Sequence, residues 1–564
     1  MTKSNYLRWL NSPHVNKETK NEILKMSEQE IDESFFKNIE FGTAGMRGIL
    51  GPGTNKMNEF TIQKAAIGFG LYLKEIFPNA NENGIVISHD NRHKSREFTL
   101  QIANIYKKMG FKTYIFDSLR PTPELSFAVN YLQAAGGIMI TASHNPKNYN
   151  GFKVYDEFGC QLVPDKIERL IEIINDLGDE LEIKIPLNFT KGEIIILTKE
   201  IDDVYIDLVK KIQVNPHLRK KDFRIVYTPN HGSSYVNAMR IFNDLGYEVY
   251  PVLSQIDPDP DFKGTLSPNP EDEKSYLEPI KLAKKIKAHL IVMTDPDGDR
   301  VGVGFLNQFG EYELLSGNQS AALLIDYLFS QKQEKGTLSK NGIMYDTIVS
   351  SRLGRKIAHS YGVKSESFLT GFKFIGDRIQ YYLENNGPTF EFGYEESYGC
   401  LIAPFARDKD GLQAILMYCE MALFHHLNGQ SLNLVYDKLQ AKHGYTLDIT
   451  FSLEFKGSDG MEKMKNIMDR LSNLEVKKIT NLKVTKTEDY MKSIATSKEN
   501  ITQLTLPKSD VIILTLADES TISIRPSGTE PKCKFYFGLS GKKEDDLKSK
   551  ANLLFNDLKK QLGL

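Results

Sequence analysis

This chain lacks any apolar run of the length, about 20 residues, that a membrane-spanning helix requires, so no membrane role is expected. Its start, Met1 to Lys20, is polar and charged, without the apolar core of a secretory signal. Cysteine is scarce. Cys160, Cys400, Cys419 and Cys533 form no C-x-x-C pair, which argues against a disulfide framework or a zinc site and for reduced thiols in a cytoplasmic protein. An excess of one charge is also missing, with 71 Lys and Arg against 73 Asp and Glu. Nucleic-acid binding wants a basic surface, so no nucleic acid is expected as a partner. Neither the nucleotide loop G-x-x-x-x-G-K-S/T nor the G-x-S-x-G elbow of acyl-transfer serines occurs.

What is present is length and alternation. The 564 residues are too many for one hydrophobic core and imply about three to four domains. Short β-rich runs ending in Gly, Pro, Asn or Asp alternate with amphipathic stretches, as at 84–90, 110–117 and 136–143. That is the pattern of βαβ units in parallel or mixed sheets. A second set lies at 223–230, 247–252 and 289–295, and a third at 342–350, 363–369 and 389–393. In each set one strand runs into an unusual polar loop, at 143–145, 295–300 and 395–397. Ligands of α/β sheets bind beyond the carboxyl ends of strands, so three such loops can face one shared cleft. The last part differs: β-like segments at 447–455, 478–484, 511–517 and 521–524 have no long helices between them. A helix then follows, with Leu547, Ala551, Leu554, Leu558 and Leu562 on one stripe. The expected fold is α/β: three similar α/β/α domains with mixed sheets, 1–195, 196–318 and 319–441, and a C-terminal α+β domain, 442–564, around a central cleft.

Five segments carry candidate chemistry. Asp295-Pro296-Asp297-Gly298-Asp299-Arg300 sets three carboxylates at i, i+2 and i+4 after the apolar strand Leu290-Ile291-Val292-Met293. In a strand they would repel on one face; in a loop they converge on a hard cation. An EF-hand is excluded, because Arg300 stands where that loop's glycine belongs and Leu306 where its last glutamate does. Thr141-Ala142-Ser143-His144-Asn145-Pro146 presents an exposed serine after a strand, with His144 and Lys153 as basic neighbours. Taken alone, it reads more readily as a turn with a capping serine. Arg525-Pro526-Ser527-Gly528-Thr529-Glu530 combines a guanidinium, hydroxyls and a glycine, and reads equally as a phosphate nest or a hairpin turn. Gly393-Tyr394-Glu395-Glu396-Ser397 suits paired hydrogen bonds to sugar hydroxyls, or an acidic turn. Gly42-Thr43-Ala44-Gly45-Met46-Arg47-Gly48 is glycine-rich without a dinucleotide spacing and offers Arg47 to an anion. Thr370-Gly371-Phe372-Lys373 and Arg407-Asp408-Lys409-Asp410-Gly411 are weaker loops of the same kind.

In this order and spacing the segments resemble the α-D-phosphohexomutase superfamily of phosphoglucomutases and phosphomannomutases, most closely its long phosphoglucomutase branch. The resemblance implies a phosphosugar mutase that interconverts glucose 1-phosphate and glucose 6-phosphate. Mannose and pentose phosphates are the competing substrates, and a metal-dependent sugar phosphatase is the competing activity. It implies Ser143 as phosphoryl carrier and glucose 1,6-bisphosphate as bound intermediate and activator. One Mg²⁺ per chain is implied, held by Asp295, Asp297, Asp299 and a phosphoserine oxygen. Arg47, His144, Lys153 and Arg300 correspond to residues around the reaction centre. Glu395 and Ser397 correspond to the sugar-hydroxyl pair, and Thr370, Gly371 and Lys373 to a further sugar-reading segment. Arg525, Ser527, Gly528 and Thr529 correspond to the loop for the phosphate that does not react. The partners implied are small-molecule sugar phosphates. Lys153 is the first choice of general base, with His144 second. The chain departs from the family's G-E-x-S loop by placing Tyr394 between the glycine and Glu395.

Overall fold

The computed structural model describes residues 2–42, 45–187, 191–455, 460–473, 475–498, 500–526 and 532–564. The chain divides into two compact units. One is Met1–Gly317 with Phe372–Ser431, the other Asn318–Gly371 with Leu432–Leu564.

The first unit contains two mixed sheets. In the seven-stranded sheet, Gly136–Ile140 is central and runs parallel to Ile85–His89, while Tyr149–Tyr155 lies antiparallel on its other side. Gly45–Ile49 extends that side, and Lys112–Phe116 and Glu193–Leu197 extend the parallel side. Both faces are covered, and two neighbouring glycines show why. A Cβ on Gly136 would meet Phe69 and Leu73 of the helix Glu59–Ile76, and one on Gly137 would meet Val129 and Leu125 of the helix Thr122–Tyr131. Successive strand residues point to opposite faces, so the two helices sandwich the strand. Glu59–Ile76 begins at Asn58, whose side chain accepts from the backbone of Phe60 and Thr61 while Thr61 caps in return. Ahead of the sheet, three short helices between 2 and 35 close a small core of Trp9, Val15, Ile23, Phe35 and Leu181.

The second sheet is built on Leu290–Thr294, buried along its whole length. Arg224–Thr228 and Glu248–Pro251 lie parallel to it, and Val301–Leu306 and Tyr312–Leu315 return antiparallel. Across this sheet packs the helix Gly411–Leu427, apolar on nearly every side, with Leu412, Ile415, Leu416, Met417, Cys419, Met421 and Leu423 fully buried. A helix buried all round is a core element rather than a surface one. The antiparallel pair Thr389–Glu395 and Gly399–Leu401 also belongs to this unit.

In the second unit, Gly342–Thr347 and Lys364–Phe368 pair in parallel. The C-terminal sheet is antiparallel throughout, ordered Tyr445–Glu454, Lys532–Gly541, Thr521–Pro526, Ile512–Leu516, Leu482–Asp489, Ile494–Ser497, Ile501–Gln503. The stripe read on the last helix is buried in full: Leu547, Ala551, Leu554, Leu558 and Leu562 join one core with the sheet. Two local expectations are corrected. The helix Gly460–Ser472 stands between the first two of these β segments, where none was read. Its stripe, Met464, Ile467, Met468 and Leu471, is buried, but Lys465, Asp469 and Arg470 interrupt it and its 13 residues span under four turns. The segment 478–484 is not one strand. It turns at Thr480, whose φ is 54°, so that Lys478–Ile479 pairs with the start of Leu482–Asp489. Among the described residues no helix is long and apolar enough to cross a membrane.

The buried helix Gly411–Leu427 gives a direct test of this core. Leu416→Ala is expected to lower stability by about 2–5 kcal/mol, read as a lower midpoint of the first thermal unfolding transition. An unchanged midpoint would place that helix outside the cooperative core.

Candidate active site

The site starts at the carboxyl end of Leu290–Thr294. The loop behind that strand closes on itself: Gly298, with φ 69°, donates its N–H to the Asp295 carbonyl at 3.0 Å. The backbone N–H groups of Asp299 and Arg300 donate to Asp295 Oδ1, both at 3.1 Å. Distant segments hold the loop from outside. The Thr122 N–H donates to the Asp297 carbonyl at 2.8 Å, and the Gly411 N–H to the Gly298 carbonyl at 3.1 Å. Thr122 Oγ1 also donates to Asp297 Oδ2 at 3.2 Å. The result is that Asp295, Asp297 and Asp299 are buried, and one oxygen from each lies within 4.8 Å of the others.

Such a cluster is stable only with compensating charge. Lys153, from the strand Tyr149–Tyr155, places Nζ 2.8 Å from Asp297 Oδ2 and 3.6 Å from Asp299 Oδ2. Lys409 places its Nζ 3.2 Å from Asp408, 3.4 Å from Asp299 and 3.6 Å from Glu395. The titration of the triad splits accordingly. Burial raises Asp295, and the charges of Asp297 and Asp299 add to the effect. Burial works against ionisation of Asp297 too, but Lys153 outweighs it and holds that carboxyl low. Asp299 is raised by burial and by Asp297, with Lys409 and Lys153 opposing. Burial would lower Lys153, yet the two aspartates raise it and keep it charged. Asp297 Oδ1 and Asp299 Oδ1 are buried without a hydrogen-bond partner. Unsatisfied buried oxygens are costly, and three converging carboxylates are the donor set of a hard divalent cation. The residues fit such an ion.

The serine loop arrives from the other sheet. Ser143 follows Gly136–Ile140 and takes the left-handed conformation, φ 52°, which costs a non-glycine residue on the order of 1 kcal/mol. Its N–H donates to Thr141 Oγ1 at 2.8 Å. Its hydroxyl donates to Asp295 Oδ2 at 2.7 Å, and His144 Nδ1 lies 3.1 Å from Ser143 Oγ. The sequence reading of an exposed serine is therefore corrected: Ser143 is 3 % exposed, because the bend aims it at the carboxylates and away from solvent. Burial drives the His144 imidazole well below its usual range, and the nearby Arg300 and Arg47 charges add to that. The ring is neutral at physiological pH.

Arg47, on Gly45–Ile49, donates from Nη1 to Asn145 Oδ1 at 3.0 Å. Arg300 donates to Glu271 Oε1 at 2.6 Å. Burial works against its charge, but Glu271 and Asp299 outweigh that and raise it. Glu395 ends the strand Thr389–Glu395 and is buried beside Lys409, whereas Glu396 and Ser397 are half-buried. Lys373 is buried at the start of the helix Lys373–Glu384. The structure thus gathers Ser143, His144, Lys153, the three aspartates, Arg47, Arg300 and Glu395 within the first unit. Thr370 and Gly371 belong to the second unit, as does Arg525, exposed in the strand Thr521–Pro526. Ser527, Gly528 and Thr529 lie outside the described residues.

Residues not singled out as site candidates in the sequence complete the arrangement. Lys409 sits in a polar loop ahead of a helix capped by Asp410, where the sequence alone offers only a weak signal. Thr122 and Glu271 fix the 295–300 loop and Arg300. Arg92, beyond the strand Ile85–His89, holds the serine loop from beneath. Its position after a central strand is the same signal that marked the other loops. Beside the serine loop opens a cavity of about 480 Å³, lined by His144, Asn145 and Lys147 on one side and by Asp261, Phe262 and Lys274 on the other.

The comparisons agree with this architecture. Alpha/beta/alpha domains I, II and III of phosphoglucomutase/phosphomannomutase match residues 38–180, 203–307 and 316–443. A phosphoglucomutase of Staphylococcus epidermidis is 39 % identical over 533 residues, covering 94 % of this chain and 96 % of that protein. One from Staphylococcus aureus is 37 % identical over 535 residues, covering 94 % and 95 %. Among solved structures, a putative phosphomannomutase from Thermus thermophilus shares the fold with a TM-score of 0.67 at 20 % identity, covering 93 % of this chain and 99 % of that one. The phosphoglucomutase parafusin from Paramecium shares it at 0.65 and 18 %, covering 93 % and 96 %. With that identity sustained across nearly its whole length, the chain belongs to the phosphoglucomutase/phosphomannomutase family.

Proposed function

We propose that the chain interconverts glucose 1-phosphate and glucose 6-phosphate, with Ser143 carrying the phosphoryl group and glucose 1,6-bisphosphate as the bound intermediate. The observation that carries this reading is the contact of Ser143 Oγ with Asp295 at 2.7 Å, inside a carboxylate triad that retains unpartnered oxygens. Ser143 stands in a turn closed by the Asn145 N–H on the Ala142 carbonyl at 3.1 Å, and that turn presents its hydroxyl to the carboxylates. The domains that go with the reading are 1–195, 196–318, 319–441 and 442–564. The small-molecule sugar phosphates are the partners. Four free buried thiols support a cytoplasmic setting.

Asp295, Asp297 and Asp299 would hold one Mg²⁺ together with a phosphoserine oxygen, and that ion supplies positive charge to the group in transfer. The chain's own residues do the rest. The Oγ–P bond of phosphoserine 143 breaks as a bond forms between phosphorus and the free hydroxyl of the sugar monophosphate. In the second half the other phosphate of the bisphosphate returns to Oγ. Attacking and leaving oxygens stand in line on opposite sides of phosphorus. His144, neutral and 3.1 Å from Oγ, is therefore placed to manage the proton on the serine side. The hydroxyl proton of the sugar is assigned to Lys153, which is held charged by Asp297 and Asp299 and can accept only after it has given up its own proton, as burial favours once those ion pairs are relieved. Arg47 and Arg300 stabilise anionic charge across the transfer. Glu395 with Ser397 is assigned to the sugar hydroxyls, together with Thr370, Gly371 and Lys373. Arg525, Ser527, Gly528 and Thr529 are assigned to the distal phosphate.

Ser143→Ala is expected to abolish mutase turnover and labelling by radioactive glucose 1,6-bisphosphate, while glucose 1-phosphate still binds. Mutase activity above about a tenth of wild type in that variant would sink the assignment, since nucleophile loss costs far more. Comparing kcat/KM on glucose, mannose and pentose 1-phosphates is expected to favour glucose, and release of inorganic phosphate as main product would point to a phosphatase instead.

Cation binding supplies a second test. Burial and mutual repulsion raise Asp295 and Asp299, so cation binding is expected to release protons over the pH range in which those carboxyls are still protonated. A folded pKa raised above the ordinary value means the protonated form persists as pH rises, so apparent affinity should climb with pH until those carboxyls ionise. Titration calorimetry with Mg²⁺ in two buffers of different ionisation heat should reveal the release. Identical heats in both buffers would show carboxylates already ionised and the sign wrong.

A further inference from the structure

Arg92 is buried, 3 % exposed, and both terminal nitrogens of its guanidinium are engaged in hydrogen bonds. Nη1 donates to the carbonyls of Pro146 at 2.8 Å and Tyr149 at 3.1 Å. Nη2 donates to the carbonyls of Ser143, at 2.6 Å, and Asn145. Nε faces Asp90 Oδ2 at 3.2 Å, both side chains being wholly buried. Asp90 is itself fixed, accepting from the Arg92 N–H at 2.9 Å and from Ser95 Oγ at 2.7 Å. Over the guanidinium lies the ring of Phe262, 5.3 Å away, on the far wall of the cavity that borders the serine loop.

Four carbonyls of one short loop thus converge on one side chain. The bond to the Ser143 carbonyl is fully buried, and leaving that carbonyl without a partner would be costly. Only a planar group with five donors in a fixed fork can serve that many at once, and a lysine ammonium cannot. One of the four carbonyls is that of Ser143, the residue held at φ 52°. A strained backbone of this kind persists only where its surroundings over-determine it. That conformation is also what aims Oγ at Asp295.

We propose that Arg92 is the positioning residue of the phosphoryl-carrying serine, fixing the left-handed bend at Ser143 through the loop carbonyls, with Phe262 as its cover. It touches neither substrate nor the reacting oxygen and acts through the backbone alone. The proposal rests on Ser143 being the carrier. Since a misplacement of about 1 Å can cost about 100-fold in rate, the expected signature is a fall in kcat with binding retained.

Arg92→Lys keeps the charge opposite Asp90 and is the variant expected to fold. Its kcat should drop about 100-fold, with KM within about threefold, and hydrogen exchange should quicken across 141–150 and not across the remainder of the sheet. In Arg92→Gly, guanidinium ion at non-denaturing concentration should restore part of kcat, which lost stability alone does not predict. If neither variant folds, Asp90→Asn leaves the guanidinium in place but loosened, and should show the same split at about tenfold. A folded Arg92→Lys with kcat within about threefold of wild type, or with unchanged exchange at 141–150, overturns the proposal. Wild-type protein that takes up no phosphoryl group at Ser143 would instead defeat the function proposed above, and the exchange measurement would still decide whether Arg92 holds the bend.

Discussion

Three carboxylates within 4.8 Å of one another, buried at the end of a core strand, are the constraint around which the first unit is organised. Like charges at that spacing repel by several kcal/mol at any dielectric appropriate to a protein interior. Arg300, in the loop itself, relieves them only in part. Relief comes from elsewhere in the sequence: Lys153 from an antiparallel strand of the first sheet, and Lys409 from the loop ahead of a buried helix. The backbone follows the same logic. Thr122 and Gly411, nearly three hundred residues apart, both donate N–H groups into the 295–300 loop. Folding the two sheets together and assembling the site are one event, because neither the aspartates nor the lysines can be buried alone.

That dependence explains how stiffly the neighbouring parts are held. The helix Gly411–Leu427 begins at Asp410, whose carboxylate accepts from the backbone of Leu412 and Gln413 and from the Tyr205 hydroxyl. The helix is apolar all round, so it cannot shift without exposing core. Lys409, one residue ahead of that cap, inherits its precision. Lys153 is fixed equally well, by a register in which Met139 of the central strand faces it across an antiparallel pair. Sites placed on such elements are more exact than sites on free loops.

Much of this was legible from the residues. Strand ends followed by improbable polar runs located the aspartates, Ser143 and Glu395, because hydrophobic strands and their stop signals are local properties. The pairing of those loops was not legible, since it depends on which strands lie side by side. Ser143 illustrates the limit. Its small neighbours suggested exposure, whereas its positive φ, imposed by contacts with residues fifty positions away, buries it. Lys409 and Arg92 escaped for a related reason. A single basic residue in a charged loop resembles a solvated one until the carboxylates or carbonyls it serves arrive from other segments. The helix Gly460–Ser472 was missed on a different ground, because its four-residue apolar stripe is short and the charges between its members mask the period.

The buried serine also bears on the charge that the site must tolerate. A phosphoryl group on Ser143 would bring about 1.5 to 2 further negative charges at neutral pH, beside a carboxylate only 2.7 Å from Oγ. Lys153 and Lys409 are already committed to Asp297, Asp299, Asp408 and Glu395. Arg300 is committed to Glu271, and Arg92 to the carbonyls of the serine loop. Those four cations are thus spent on groups already there, which leaves Arg47, donating to the neutral Asn145 amide, to face a carrier phosphate of nearly two charges, and the remainder calls for a cation from outside the chain. The unpartnered oxygens of Asp297 and Asp299 are where that charge can be bound. A cation bound there would offset the charge of a phosphorylated Ser143 as well as serve the transfer.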